Sequence, residues 1–134
     1  MPITQNKKTF GAGGEAGAAA YLESRGYRLV DANIRPEGGR ARGEIDLVAW
    51  HGETLAFIEV KTRRVAIGQQ GTPSEAIDAR KRRQLVSLAT VYLAKHELED
   101  VPCRFDVVEV IERPAQPPVF RLLRNAFDAS DVEG

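Results

Sequence analysis

Two short apolar runs, Ile45 to Trp50 and Leu55 to Val60, carry acids where a buried strand should have none. Asp46 lies in the first, with Glu44 just ahead of it, and Glu59 lies in the second; Lys61 follows Glu59 by two residues. An ionised group set into an apolar strand is costly unless it is paired or bound to a cation. Acids that converge on a divalent metal, with a lysine beside them, form a device for hydrolysing a phosphodiester. The acids hold the metal, and the ammonium steadies phosphate charge or acts on the attacking water. Oxygen-only donors favour Mg²⁺ or Mn²⁺ over zinc. The competing reading is a salt-bridged cluster, Glu44 or Glu59 with Lys61, that closes a sheet end.

Which acids meet depends on the turn at His51-Gly52-Glu53-Thr54. A two-residue loop at Gly52-Glu53 pairs His51 with Thr54 and sets Asp46 opposite Glu59 and Glu44 opposite Lys61. A loop at His51-Gly52 shifts the pairing by two, so that Glu59 faces Glu44 and Lys61 faces Arg42. Glycine at the first loop position favours the former, and turn chemistry alone leaves the latter open.

The elements that must position this hairpin are legible around it. A helix is expected from Glu15 to Arg25, closed by Gly26 as its C-terminal cap. Glu15, Ala19 and Leu22 share its inward stripe, which makes Glu15 a candidate third acid. Tyr27 to Ile34 reads as a strand, followed by a turn at Pro36-Glu37-Gly38-Gly39. After a polar loop from Arg63 to Gly71, Thr72-Pro73-Ser74-Glu75 reads as a helix start. That helix is expected to run to His96, with Ile77, Leu85, Leu88, Ala89 and Tyr92 buried and Lys81 on the same stripe. Arg104 to Ile111 is a strand, Arg113 to Pro118 a turn, and Val119 to Leu123 a short edge strand. The hairpin strands are apolar on both faces, which places them inside a sheet covered by helices. The expected fold class is α/β, a mixed sheet flanked by helices. Residues 1–10 read as a disordered lead, 11–127 as one domain and 128–134 as an acidic tail.

Composition excludes several classes. No apolar run is long enough for a membrane span, and Met1 to Phe10 has no apolar core of a secretory leader. Cys103 is alone, so no internal disulfide forms, which fits a cytoplasmic protein. Only His51 and His96 are present, in a turn and at a helix end, so neither a zinc site nor a histidine-based triad is attractive. Asp106 reads as a partner for Arg104. Lys+Arg and Asp+Glu both number 19, so net charge gives no sign of a polyanionic partner. The distribution is more telling. Arg42, Lys61, Arg63, Arg64 and Arg80-Lys81-Arg82-Arg83 gather mid-chain, compatible with one basic, nucleic-acid-facing side. A solvated helix face is the plainer reading of the Arg80 to Arg83 run.

Taken in order, these residues resemble the YraN-like family of small bacterial proteins over nearly the whole chain. The matching stretches are Gly14-Glu15-Ala16 with Tyr21-Leu22, Gly26-Tyr27, Asn33-Ile34-Arg35 and Gly43-Glu44-Ile45-Asp46-Leu47. They continue with Phe57-Ile58-Glu59-Val60-Lys61-Thr62-Arg63, Lys81, Arg104-Phe105-Asp106-Val107-Val108 and Ala126-Phe127. The pattern of Asp46 followed by Glu59-Val60-Lys61 is similar to the restriction-endonuclease-like, or PD-(D/E)xK, superfamily. Ile45 stands where a proline often precedes the aspartate. The resemblance implies an α-β-β-β-α-β core and Mg²⁺-dependent phosphodiester cleavage. It also implies that Asp46, Glu59 and the Val60 carbonyl hold the metal while Lys61 acts on the water. The thirteen-residue step from Asp46 to Glu59, with Glu15 on the preceding helix, is similar to archaeal Holliday-junction resolvases. The expected function is a metal-dependent endonuclease acting on DNA, on branched or repair intermediates, through Arg42, Arg63, Arg64 and Lys81. A two-fold homodimer is the arrangement expected if junctions are cut. The alternatives are a catalytically weak nucleic-acid-binding repair accessory and a protein-interaction domain whose acid cluster only staples the sheet.

Overall fold

Gly52 adopts φ +63° at the tip of the hairpin, and the strands on either side fix the frame of a five-stranded sheet. The computed structural model describes residues 14–36, 43–64 and 78–127. In chain order the elements are α1 (Gly14–Ser24), β1 (Tyr27–Ile34), β2 (Ile45–His51), β3 (Thr54–Arg64), α2 (Ala79–Lys95), β4 (Cys103–Arg113) and β5 (Gln116–Phe127). The strands lie side by side in that same order. All neighbours are antiparallel except β3 and β4, which run parallel. A parallel pair needs a long crossover, and α2 lies within it.

Each face of the sheet carries one helix, as the two-sided apolar strands required. Ala18, Ala19 and Leu22 of α1 pack on Leu47, Ala49, Ala56, Ile58, Val108 and Val110. Leu85, Leu88, Ala89 and Tyr92 of α2 pack on Val48, Leu55, Phe57, Phe105 and Val107. The split follows the two-residue period of a strand: even positions of β4 turn to α1 and odd ones to α2. Full burial of each Leu, Val or Phe stabilises by about 1.5–3 kcal/mol, so these two layers hold the sheet flat against its helices.

The helix ends are set locally. Gly26, at φ +92°, takes the left-handed cap position after α1, and its N–H donates to the Glu23 carbonyl at 3.1 Å. The second helix begins later than the Thr72 start expected from sequence. Asp78 has an extended backbone, φ −68° and ψ 165°, and its carboxylate accepts the Lys81 N–H at 2.8 Å. An aspartate cap satisfies one of the orphan donors of the first turn, so α2 starts at Ala79. Thr72-Pro73-Ser74-Glu75 and Ile77 lie outside the described residues, as do the lead, the tail, Gly38-Gly39 and Arg42.

Three strands are clearly longer than their sequence suggested, β4 among them at Cys103–Arg113. β3 continues through Lys61 to Arg64, and β5 spans Gln116–Phe127 rather than Val119 to Leu123. Pro117 and Pro118 sit inside β5, which they can do because it is the outermost strand and because they lie opposite the irregularity between Ile111 and Arg113 of β4. The turn between β4 and β5 therefore shrinks to Pro114-Ala115, with Ala115 at φ +56°. Among the described residues no helix is long and apolar enough to cross a membrane.

Candidate functional site

The hairpin adopts the register of the Gly52-Glu53 turn. His51 pairs with Thr54, and the ladder runs through Trp50–Leu55, Ala49–Ala56 and Val48–Phe57 to Leu47–Ile58. There it stops. Hydrogen-bonded and non-bonded pairs alternate in an antiparallel ladder, so the next bonded pair outward would join Ile45 and Val60. Instead the Val60 N–H donates to Asp46 Oδ2 at 2.7 Å. The side chain of Asp46 replaces the missing rung, and the strands part around it. Ile45 and Val48 both belong to the α2-side core while Leu47 and Ala49 face α1, so strict alternation fails at this point. A direct Asp46–Glu59 rung and a Glu44–Lys61 rung, both expected from turn counting, are accordingly not part of the ladder.

Acids nevertheless converge on the opening. Carboxylate oxygens of Glu15, Glu44 and Asp46 all lie within 4.8 Å of one another. Glu15 comes from the first turn of α1 and Glu44 from the segment before β2. Glu44 is also tied to Arg35 at 2.9 Å. Asp46 is buried, and its carboxyl is pushed up to about 8: first by burial, then by the charge of Glu59, with Glu15 and Glu44 adding and the Val60 N–H opposing. Glu59 is raised as well, chiefly by burial, against the pull of Lys81, Asp46 and Lys61. Among the described residues its Oε1 is buried without a hydrogen-bond partner. Asp46 thus shares a cluster with Glu15 and Glu44 and also feels the charge of Glu59, which stands outside that cluster, a crowding that protons or a cation must relieve.

Val60 packs with the α1-side core, so Glu59, Lys61 and Arg63 point to the α2 side of β3. Lys81 comes from the first turn of α2, and its Nζ lies 3.6 Å from Glu59 Oε2. Of the phosphate contacts expected from sequence, Lys81, Arg63 and Arg64 are already engaged within the protein, and Arg42 lies outside the described residues. Arg63 is paired with Glu109 at 2.7 Å and Arg64 with Glu112 at 3.2 Å. Asp106 is a structural partner, as its neighbourhood in sequence suggested. Arg104 reaches it at 3.0 Å, the Tyr27 hydroxyl donates to it at 2.7 Å and the Asn125 N–H at 2.8 Å. Arg104 also contacts His51 Nδ1 at 2.8 Å, and burial together with Arg104 and Arg124 holds the His51 imidazole below its usual value. This network ties the turn end of the sheet, away from Asp46 and Lys61.

A family model described as "Uncharacterised protein family UPF0102" matches residues 14–110, from the start of α1 to Val110 of β4. This chain belongs to that family. It is 48% identical over 119 residues to a UPF0102 protein of Symbiobacterium thermophilum, covering 89% of this chain and 96% of that one. A UPF0102 protein of Geobacter sulfurreducens is 40% identical over 131 residues, covering 96% and 98%. One from Dehalococcoides mccartyi is 43% identical over 127 residues, covering 93% and 98%. The YraN-like resemblance read from the sequence is thus a membership of UPF0102, and the matched span contains Glu15, Glu44, Asp46, Glu59, Lys61 and Lys81.

Within this UPF0102 chain, two determinants of the site were missed in the sequence. Gly43 adopts φ +91°, and a Cβ there would lie 2.8 Å from Gln84 Oε1 of α2. Glycine therefore lets the chain turn into β2 while α2 presses against it, which is what delivers Glu44 and Asp46. Glu109 of β4, between Val108 and Val110, is fully buried. Its signal was the same as that of Glu59: an acid inside a strand apolar on both faces.

Proposed function

We propose that the protein is a metal-dependent nuclease that hydrolyses phosphodiester bonds of nucleic acid, DNA in the first place. The observation that carries this reading is the splayed end of the hairpin, where the Asp46 carboxylate takes the Val60 N–H beside Glu15, Glu44 and Glu59. The residues fit a hard divalent cation. The donors are all oxygens, burial and the charge of Glu59 raise the Asp46 carboxyl, and Glu59 Oε1 has no hydrogen-bond partner among the described residues. Asp46 and Glu59, with the Val60 carbonyl, would hold Mg²⁺ or Mn²⁺. Such an ion supplies a Lewis acid and an acidified water.

The chain's own groups account for the rest. The Val60 N–H fixes the rotamer of Asp46, and burial keeps water from screening its charge. Lys61 lies on the same face of β3 as Glu59, two residues on, where its ammonium meets the charge that develops on a phosphate oxygen. Lys81, now on Glu59, is placed to move to the phosphate once a cation replaces it there. Glu15 and Glu44 are positioned to orient the attacking water from the α1 side. The element order α-β-β-β-α-β, with β5 appended, supports a restriction-endonuclease-like core. If branched DNA is the substrate, a two-fold dimer completes the arrangement.

Purified protein incubated with single-stranded, duplex and four-way DNA should nick at least one of them only when Mg²⁺ or Mn²⁺ is added. Asp46→Asn and Lys61→Ala should each abolish nicking while the circular dichroism spectrum is unchanged. Cleavage that persists in both variants would remove these residues from the chemistry.

A further inference from the structure

Glu109 is the most heavily buried acid of the described residues, with 0% of its side chain exposed. In the sheet it stands abreast of Lys61 on β3 and Arg121 on β5. Lys61, Glu109 and Arg121 therefore form a cross-strand row on the α2 side, and Arg63 stands one step further along β3. Arg63 Nε lies 2.7 Å from Glu109 Oε2, and Arg121 Nη1 lies 3.5 Å from Oε1. Neither carboxylate oxygen receives an aligned hydrogen bond, so both contacts are ion pairs of imperfect geometry. For stability this is a poor bargain, because an apolar side chain of similar volume would serve a buried position as well or better. What the arrangement achieves is orientation. The Arg63 Nε is buried on the glutamate while the side chain as a whole remains 28% exposed, and Arg121 is 44% exposed. Two guanidiniums against one carboxylate leave an excess positive charge facing outward. Arg64, whose partner Glu112 is itself partly exposed, has no such buried anchor.

We propose that Arg63 and Arg121, fixed by the buried Glu109, form a clamp for the backbone phosphate adjacent to the one at Lys61. The proposal rests on the phosphodiester reading above and extends it from one phosphate to a strand. Two residues along β3 span roughly 6.5–7 Å, a step comparable with that between successive phosphates of an extended strand. A guanidinium anchored through one nitrogen keeps its remaining donors for a phosphate, which it can meet with two parallel hydrogen bonds. Orientation by a buried acid lowers the entropy lost on binding. Glu109 is a positioning residue in this scheme, since it acts only through the arginines.

The test is binding of the full chain in EDTA to fluorescent single-stranded and duplex DNA and to the matching RNA, across a salt series. Arg121→Ala should weaken binding about tenfold at low salt. It should also reduce the slope of log K against log salt by about 0.9 for duplex and about 0.7 for single strands. Arg121→Lys should restore the slope. Glu109→Gln makes the protein more positive, so unspecific attraction predicts tighter binding, whereas the clamp predicts weaker binding. An unchanged slope in Arg121→Ala, or tighter binding by a folded Glu109→Gln, overturns the clamp. If Glu109→Gln does not fold, the Arg121→Ala slope decides. A wild-type chain that shows the slope difference but never nicks with Mg²⁺ or Mn²⁺ overturns the nuclease reading and supports the clamp. One that nicks without the slope difference overturns the clamp alone.

Discussion

Replacing Asp46 by asparagine should make the metal-free protein more stable at alkaline pH, because it removes a crowded, buried acid and keeps an acceptor for the Val60 N–H. In the folded chain the Asp46 carboxyl is raised from 3.8 to about 8, mainly by burial and secondarily by Glu59. A raised acid binds its proton more tightly in the fold than in the unfolded chain. Its contribution to stability is therefore intact below pH 4 and is lost as pH climbs through about 8. For these two values linkage gives a loss of about 2 kcal/mol by pH 5 and about 6 kcal/mol by pH 9, a difference of about 4 kcal/mol. Because Glu59 shares the proton economy of the pair, about 2–4 kcal/mol is the range to look for. Asparagine carries no titrating group, and its amide oxygen still accepts the Val60 N–H. Urea unfolding of both proteins at pH 5 and pH 9 in EDTA measures the effect directly. The gap between variant and wild type should widen in favour of asparagine by that amount. A gap that is the same at the two pH values would refute the argument that burial and crowded acids strain Asp46.

Mn²⁺ or Mg²⁺ at a hundredfold excess over its dissociation constant should stabilise the wild type by about 2.7 kcal/mol, seen as a rise in Tm that Asp46→Asn lacks; no rise in the wild type counts against the metal centre. Gly43→Ala should destabilise by about 1–3 kcal/mol through its φ of +91°. Adding Gln84→Ala should recover only the part due to the 2.8 Å contact, and full recovery in thermal melts would show that backbone conformation is unimportant there. Tyr27→Phe removes a donor to Asp106 and an acceptor for Arg104 and Arg124, and a loss of about 1–3 kcal/mol in urea unfolding is expected. Below pH 6.5 the wild type should also lose stability as His51 is forced to charge in the fold, and His51→Gln should flatten that acid limb.

Turn chemistry and two-residue periodicity are local, and they carried the hairpin register, the edges of β1 and the two-sided burial of β2 and β3, while the 3.6-residue period carried the inward stripe of α2 from Leu85 to Tyr92. They also marked Asp46, Glu59 and Lys61, because an acid in an apolar strand is visible without knowing its neighbours. Local signals did not place the start of α2 at Ala79, which Asp78 caps, and they shortened β5, because an edge strand tolerates prolines; residues 72–75 lie outside the described ones. The exact meeting of Asp46 with Val60 was not legible. A regular ladder predicts a facing pair, whereas strand splay depends on how Ile45 and Gly43 fit against α2.

By itself the sequence determined the family, the order of the elements and which acids and lysine to test, since each follows from residue type and spacing along one or two strands. The tertiary structure decided what those groups touch. It brought Glu15 of α1 to Asp46, Lys81 of α2 to Glu59, and Arg63 and Arg121 to a glutamate hidden in β4. It also joined Tyr27, His51, Arg104 and Asp106 into one network at the other end of the sheet. These contacts link residues far apart in the chain, and no local preference encodes them. They arise when apolar faces on both sides of the sheet are buried together and the charged groups left between them must find partners.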